Sequence, residues 1–277
     1  NTIQTDYPDA FNAWIFYKSI VNFTLFNDST AYAFIVFRCF SFPKSHEITI
    51  GLILQYILAL ILIIFNCWAK YDAHRCIGVY CWYWGDFFYR KNVSLTFDGI
   101  FELFPHPMYT VGYSIYYAMV LVTQSYTILF ISLIAHMSQI LFLVIVEEPH
   151  IKKMYGSDEE YSQHDEQSLY DVQCGWFPSK NEIAFFIGGF TFDLTSTTTW
   201  MTMVAIIYST LLALLPESAI YSVIQVILWR VLLYIGLGYI LYYQSRCSWW
   251  TRLHSRKGLS LQLAFTHWRQ LYNFCNV

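Results

Sequence analysis

Charge is scarce in this sequence. Only 16 basic and 19 acidic side chains occur among 277 residues, 13% of the chain, and they nearly cancel to a formal net charge of −3. A balance that close to neutral lacks the basic surface a nucleic-acid partner requires, so no nucleic acid is expected. The seven cysteines (Cys39, Cys67, Cys76, Cys81, Cys174, Cys247 and Cys275) form no CxxC pair and no histidine-coupled metal spacing. They are read as reduced and structural, and no metal is expected. The opening NTIQTDYPDAFNAW lacks both an initiator methionine and a basic segment followed by an apolar core, so the numbering is expected to begin inside a larger protein.

Apolar and aromatic residues dominate instead: 56% of the chain is hydrophobic, 20% is aromatic, and the mean hydropathy is +0.39. Such values belong to integral membrane proteins. Residues 48–69, ITIGLILQYILALILIIFNCWA, run 22 positions without a charge, enough to cross a hydrocarbon core of roughly 30 Å as a helix. Residues 108–146 contain one histidine and no formal charge. As one helix they would run about 58 Å at ~1.5 Å per residue, so they are predicted to fold back at TQSY, 123–126. Segments 200–215 and 218–243 are predicted to form a second hairpin around Pro216 and Glu217. Near the start, 11–26 and 31–42 flank the polar NDST and are predicted to be short or tilted spans. Arg230, midway along 218–243, costs roughly 2.5–3.5 kcal/mol in mid-membrane and is expected to face the protein interior or a water-filled cavity.

Lysine and arginine cluster in 70–107, 147–199 and 244–277, whereas the loops assigned to the other side hold only Lys44. One crossing and two hairpins place the three basic regions on a single face, taken as cytoplasmic. The expected fold is therefore an all-α polytopic transmembrane helical bundle with a central helical hairpin and an interfacial amphipathic segment.

Three polar clusters fall at the cytoplasmic ends of these spans. KYDAHRCIGVYCWYWGDFFYR (70–90) carries His74, Arg75, Gly78, Gly85 and Asp86, and its tryptophans and tyrosines suit the headgroup level. FPHPMYTVGY (104–113) carries His106, Tyr109 and Gly112, and Pro107 is expected in the first turn of a membrane helix, where its missing N–H costs nothing. VIVEEPHIKKMYG (144–156) sets Glu147 and Glu148 side by side before Pro149, at what reads as a helix C-terminus. There the macrodipole disfavours both carboxylates, so a cationic ligand bearing hydroxyls is expected to complete them.

HPMYTVGY, followed some thirty-five residues later by EEPHIKKMYG, resembles the membrane-embedded methyltransferases that use S-adenosylmethionine, a group including isoprenylcysteine carboxyl methyltransferases and phospholipid N-methyltransferases. The ordered set GDFF, PMY and EEP is most similar to the phosphatidylethanolamine N-methyltransferase family, in its fungal double-unit type. The resemblance covers about residues 50–160 strongly. It implies methyl transfer to the amine of phosphatidylethanolamine, a substrate from the bilayer, giving phosphatidyl-N-methylethanolamine in the endoplasmic reticulum membrane. It places cofactor contacts on Gly78 through Gly85 and on Glu147 and Glu148, with Tyr109, Gly112 and His106 shaping the pocket. A clean Gly-x-Gly is absent, since Val79 and Tyr80 follow Gly78. Asp86, His74 and His106 are the candidate catalytic residues, Asp86 or His74 as proton acceptor, and Arg75 and Asp86 the candidate substrate contacts, because a planar guanidinium suits a lipid phosphate.

AFNAWIFYKSIVNF (10–23) and AFTHWRQLYNF (264–274) share a pattern, so residues 1–182 are expected to form one methyltransferase unit with its core at 48–161, and 183–277 a further hairpin and the start of a second unit. The alternatives from other classes are an NADPH-dependent membrane sterol reductase and a non-catalytic membrane transporter or scaffold.

Overall fold

The computed structural model describes residues 8–41, 43, 49–89, 98–155, 203, 207, 211, 218–256, 263, 264, 267 and 268. Most of the segment 200–215, the turn at Pro216 and Glu217, and most of 264–274 lie outside the described residues. Every regular element among the described residues is helical. Among the described residues, four helices are long and apolar enough to cross a membrane, over Asp9–Cys39, Ile50–Phe87, Tyr126–Met154 and Tyr221–Cys247. The chain is a multi-pass membrane protein.

The first element, α1 (Pro8–Cys39), corrects the expectation of two short spans around NDST: it is one helix of 32 residues. The polar residues do not break it because Thr24, Asn27 and Thr30 fold back onto the carbonyls of Ile20, Phe23 and Phe26 at 2.9, 2.8 and 2.8 Å. Each side chain is thereby satisfied within the helix. Asp28, 2% exposed, is paired with Arg230 at 2.6 Å.

The predicted span at 48–69 is the first part of α2 (Ile50–Trp82), which starts where the Thr49 hydroxyl caps the Leu52 N–H at 3.2 Å. The aromatic 70–90 stretch continues this rod, breaks it at Gly78 (φ 63°, ψ 177°), and then turns inward through a 3-10 turn at Gly85–Phe87. Tyr83, Phe87, Phe88 and Tyr89 are buried there in one core with Trp14, Tyr17, Tyr109, Phe142 and Trp250.

A single-turn helix, α3 (Ile100–Leu103), follows. The hairpin then forms as predicted: α4 (Ser114–Thr123) and α5 (Tyr126–Phe142) meet at Gln124, whose φ of 52° reverses the chain. Pro107, however, does not open a helix; α4 starts at Ser114 after turns and a 3-10 segment at Val111–Tyr113. The cause is a buried clamp in which the Gly112 N–H donates to the Pro107 carbonyl at 2.7 Å and the Asn66 amide of α2 donates to the Gly112 carbonyl at 2.6 Å.

The glutamate pair likewise does not end a helix. The chain passes from α5 through a π turn at Leu143–Glu147 into α6 (Glu148–Tyr155). In that turn the Glu148 N–H reaches back to the Leu143 carbonyl, one residue further than an α-helix requires. Pro149, which has no N–H to give, follows directly after this widened turn and interrupts the hydrogen-bond ladder without ending the helix. The macrodipole argument at a helix terminus therefore does not apply; what acts on Glu147 is its burial.

Opposite α5 run α7 (Ser218–Val231), a second π segment at Leu232–Leu237, α8 (Gly238–Cys247) and a last helix over 249–256. Contacts between elements define one end of the bundle. The Trp14 indole of α1 donates to the Tyr83 carbonyl at 3.0 Å, Gln244 of α8 to the Phe87 carbonyl at 3.3 Å, and the Trp250 indole to the Ala13 carbonyl at 3.1 Å. The start of α1, the end of α2, the turn before α4, the end of α5 and the end of α8 thus gather together. The outward faces of α2, α5 and α7 carry exposed isoleucines, leucines and phenylalanines that only a lipid environment accommodates.

Arg230 faces the interior, as its cost in the membrane predicts. Besides Asp28, it donates to the hydroxyls of Tyr116 at 3.0 Å and of Tyr113 and Tyr234 at 3.3 Å, and Tyr234 donates on to Gln139 at 3.1 Å. One cation thereby ties α1, α4, α5 and α7 together.

Candidate active site

Glu147 is the centre of the gathered end. Its Oε2 accepts from the Trp84 indole N–H at 3.0 Å and from the Tyr109 hydroxyl. Three segments far apart in sequence therefore close on one carboxylate: the turn after α2, the turn before α4, and the π segment after α5. Each is irregular where it must be. Trp84 occupies the left-handed region at φ 53°, uncommon for a bulky residue. The π turn carries Glu147 itself, and such turns recur at functional positions.

Aromatic faces complete the surroundings. Phe142 packs edge-on to Trp84 with ring centroids 5.5 Å apart and is parallel to Tyr109 at 6.5 Å. Tyr109 is fixed at both ends, because its carbonyl meets His136 Nε2 at 3.0 Å while its hydroxyl meets Glu147. His136, the one histidine of the long apolar run, stacks on Tyr113 at 4.4 Å and contacts the Tyr117 hydroxyl through Nδ1 at 2.7 Å. Burial, then the nearby Glu147 carboxylate, holds the Tyr109 hydroxyl protonated well above its ordinary range, so it remains a donor.

Both hydrogen bonds fall on Oε2, and no described cation lies within ion-pair distance of Glu147. A half-buried carboxylate with neutral donors on one oxygen and aromatic faces beside it suits a cation bearing hydroxyl groups. Glu148 points elsewhere: it is partly exposed and pairs with Lys152 at 3.4 Å, one turn along α6.

Asp86 lies against a second group. Its Oδ2 is 3.5 Å from His150 Nε2, His150 Nδ1 is 2.8 Å from the Ser245 hydroxyl, and the imidazole stacks on Phe87 at 3.6 Å. The remaining predicted residues are placed as follows. Gly78 is the break in α2, and Gly85 lies directly beneath the Tyr80 ring, which a side chain there would strike. Gly112 admits a close approach, but the groups that approach are Pro107 and Asn66. His106 stands edge-on to Tyr109 at 6.4 Å. His74 is edge-on to Trp82 at 5.1 Å, and Arg75 is held by Asp72 at 2.6 Å.

The sequence reading named Tyr109, Glu147 and Asp86 but not Trp84, His136 or His150. His150 lies three residues beyond Glu147, one helical turn, and that spacing was the available signal.

Residues 54–158 match the family model described as phospholipid methyltransferase. The chain is 37% identical over 97% of its length to a phosphatidylethanolamine N-methyltransferase of Paracoccidioides brasiliensis (strain Pb03), covering 30% of that protein. It is 37% identical over 96% of its length to the Schizosaccharomyces pombe protein of the same name, covering 29%, and 38% identical over 96% to that of Schizosaccharomyces japonicus, covering 30%. The chain thus spans about 30% of the length of these curated relatives. No solved structure matches it.

Proposed function

We propose, from the match of residues 54–158 to the phospholipid methyltransferase family model, that this chain transfers a methyl group from S-adenosylmethionine to the amine of phosphatidylethanolamine. The product is phosphatidyl-N-methylethanolamine, the proposed setting is the endoplasmic reticulum membrane, and the active face is cytoplasmic. The observation that carries the proposal is Glu147, drawn into an aromatic cluster by Trp84 and Tyr109 with no ion-pair partner among the described residues.

The residues present fit the methyl donor. Trp84, Tyr109 and Phe142 offer ring faces to a sulfonium, and the Glu147 carboxylate offers an acceptor for ribose hydroxyls or a counter-charge. When bound, S-adenosylmethionine supplies an electrophilic methyl group. The protein's part is to orient and to move a proton. A lipid ammonium must lose its proton before its nitrogen can attack, and Asp86 Oδ2 is the acceptor we assign, with His150 Nε2 beside it and Ser245 fixing the imidazole. Tyr109, clamped through its carbonyl by His136, keeps the pocket's shape, and positioning of this kind supplies several kcal/mol of a displacement barrier. His106, edge-on to Tyr109, stands beside the pocket in this reading, with Glu148 at its outer edge.

Contacts of α7 and α8 to Asp28, Phe87 and His150 support counting these helices with the first unit, in place of the expected division at residue 182. Purified chain in lipid nanodiscs, given radiolabelled S-adenosylmethionine and phosphatidylethanolamine, is expected to yield labelled monomethylated lipid. Absence of label in lipid, or oxidation of NADPH in the presence of a sterol, would overturn the reading.

A further inference from the structure

A cleft of about 1030 Å³ runs along the membrane-facing side of the bundle between α5 and the α7–α8 arm. That volume is at the upper end of ordinary ligand cavities, roughly 300–1,000 Å³. Its walls are apolar, and its rim is open toward the bilayer: Ile134 on α5 is 51% exposed and Ile235 opposite it 67%. The floor is made by a close approach. Gly238 faces Phe142 so tightly that a Cβ there would come within 3.2 Å of the ring. Phe142 lines the cleft and also packs against Trp84 and Tyr109, so it is shared between the cleft and the Glu147 site.

The end of the cleft nearest Glu147 is charged in a definite order. Tyr242 lines the cleft and lies 4.3 Å beneath the Arg246 guanidinium. Lys153 reaches the Ser245 carbonyl at 2.7 Å, and the Ser245 hydroxyl leads through His150 to Asp86. Arg246 thus meets the cleft through Tyr242, whereas Asp86 is reached only through Ser245 and His150.

We propose that this cleft holds the acyl chains of a zwitterionic glycerophospholipid, its phosphate at Lys153 and Arg246 and its ammonium directed to Asp86. The inference deepens the methyltransferase reading and rests on it for the fate of the amine, but not for the binding itself. Apolar walls open to the bilayer suit hydrocarbon, a water-soluble ligand would leave its polar groups unmet there, and the order of charge matches phosphate followed by amine. Ile134 and Ile235 are therefore positioned to decide how well the chains seat.

The test uses the chain in nanodiscs with phosphatidylethanolamine carrying a photoactivatable diazirine in one acyl chain, and labelled residues mapped by mass spectrometry. Labels are expected on α5 and on α7 through α8. Ile134→Trp and Ile235→Trp, which add bulk at exposed positions, are expected to cut that labelling and raise the KM for lipid about tenfold, the size expected from overfilling a packed space. Binding of S-adenosylmethionine, measured by calorimetry, is expected to stay as in the unsubstituted chain. Labels concentrated elsewhere, or labelling unchanged by both substitutions, would overturn the proposal. So would a disulfide formed readily between cysteines placed at 134 and 207, since the chain itself would then fill the cleft. Labels in the cleft without methyl transfer would sink the methyltransferase reading and leave the lipid site standing.

Discussion

Asp28 and Glu147 are both acidic groups withdrawn from water in a membrane protein, and they are completed in different ways. Asp28 meets Arg230 at 2.6 Å, and Arg230 donates to three tyrosines, so the charge is answered within the fold. Glu147 receives two neutral donors on one oxygen and pairs with no described cation. The first cluster lies among spanning helices and holds four of them in register. The second lies where three segments leave regular helix, at the end of the bundle where basic residues gather. A closed account of charge marks structure, and an open one marks a place for a ligand.

Breaking the closed cluster should have the largest effect. Arg230→Met leaves Asp28 buried and unpaired and is expected to destabilise the bundle by about 3–5 kcal/mol, read as a lower midpoint in denaturant titration of the detergent-solubilised chain. Adding Asp28→Leu should recover most of that loss; a double variant as unstable as the single one would mean the pair is not self-contained. The open cluster should respond in binding instead of stability. Glu147→Gln is expected to weaken S-adenosylmethionine by roughly 10- to 100-fold, the equivalent of about 1.5–3 kcal/mol for an interaction with a charged group, with little change in unfolding. Tyr109→Phe keeps the ring and removes one donor, so calorimetry should show a loss of about 1 kcal/mol, roughly fivefold. Glu148→Gln removes only an exposed pair with Lys152, worth about 0.3–0.5 kcal/mol, and should alter affinity less than twofold. A larger effect at Glu148 than at Glu147 would reverse the assignment.

The comparison also shows what could be read beforehand. The span at 48–69, the hairpin reversal at 123–126 and the inward orientation of Arg230 followed from run length and the cost of charge in hydrocarbon, quantities local to the sequence. The continuity of α1 was not legible, because NDST reads as a break until its side chains are seen bonded to carbonyls one turn earlier, with Asp28 paired to a residue two hundred positions away. The late start of α4 and the π turn at Leu143–Glu147 were hidden for a related reason: Asn66 and Trp84, which fix them or benefit from them, lie on α2 and in the turn after it. Glu147 was found because two adjacent carboxylates after a long apolar run break a local rule. Its separation from Glu148 was not found, because one added residue in a helical turn redirects side chains without any mark in composition.

The central claim is that Glu147 is completed by a cation. Its most direct test is calorimetry in nanodiscs comparing S-adenosylmethionine with its neutral, demethylated thioether, in the unsubstituted chain and in Glu147→Gln. The account predicts that the unsubstituted chain prefers the sulfonium and that the substitution abolishes this preference. An equal affinity for both in the unsubstituted chain, or a preference that survives the loss of the carboxylate, would contradict it.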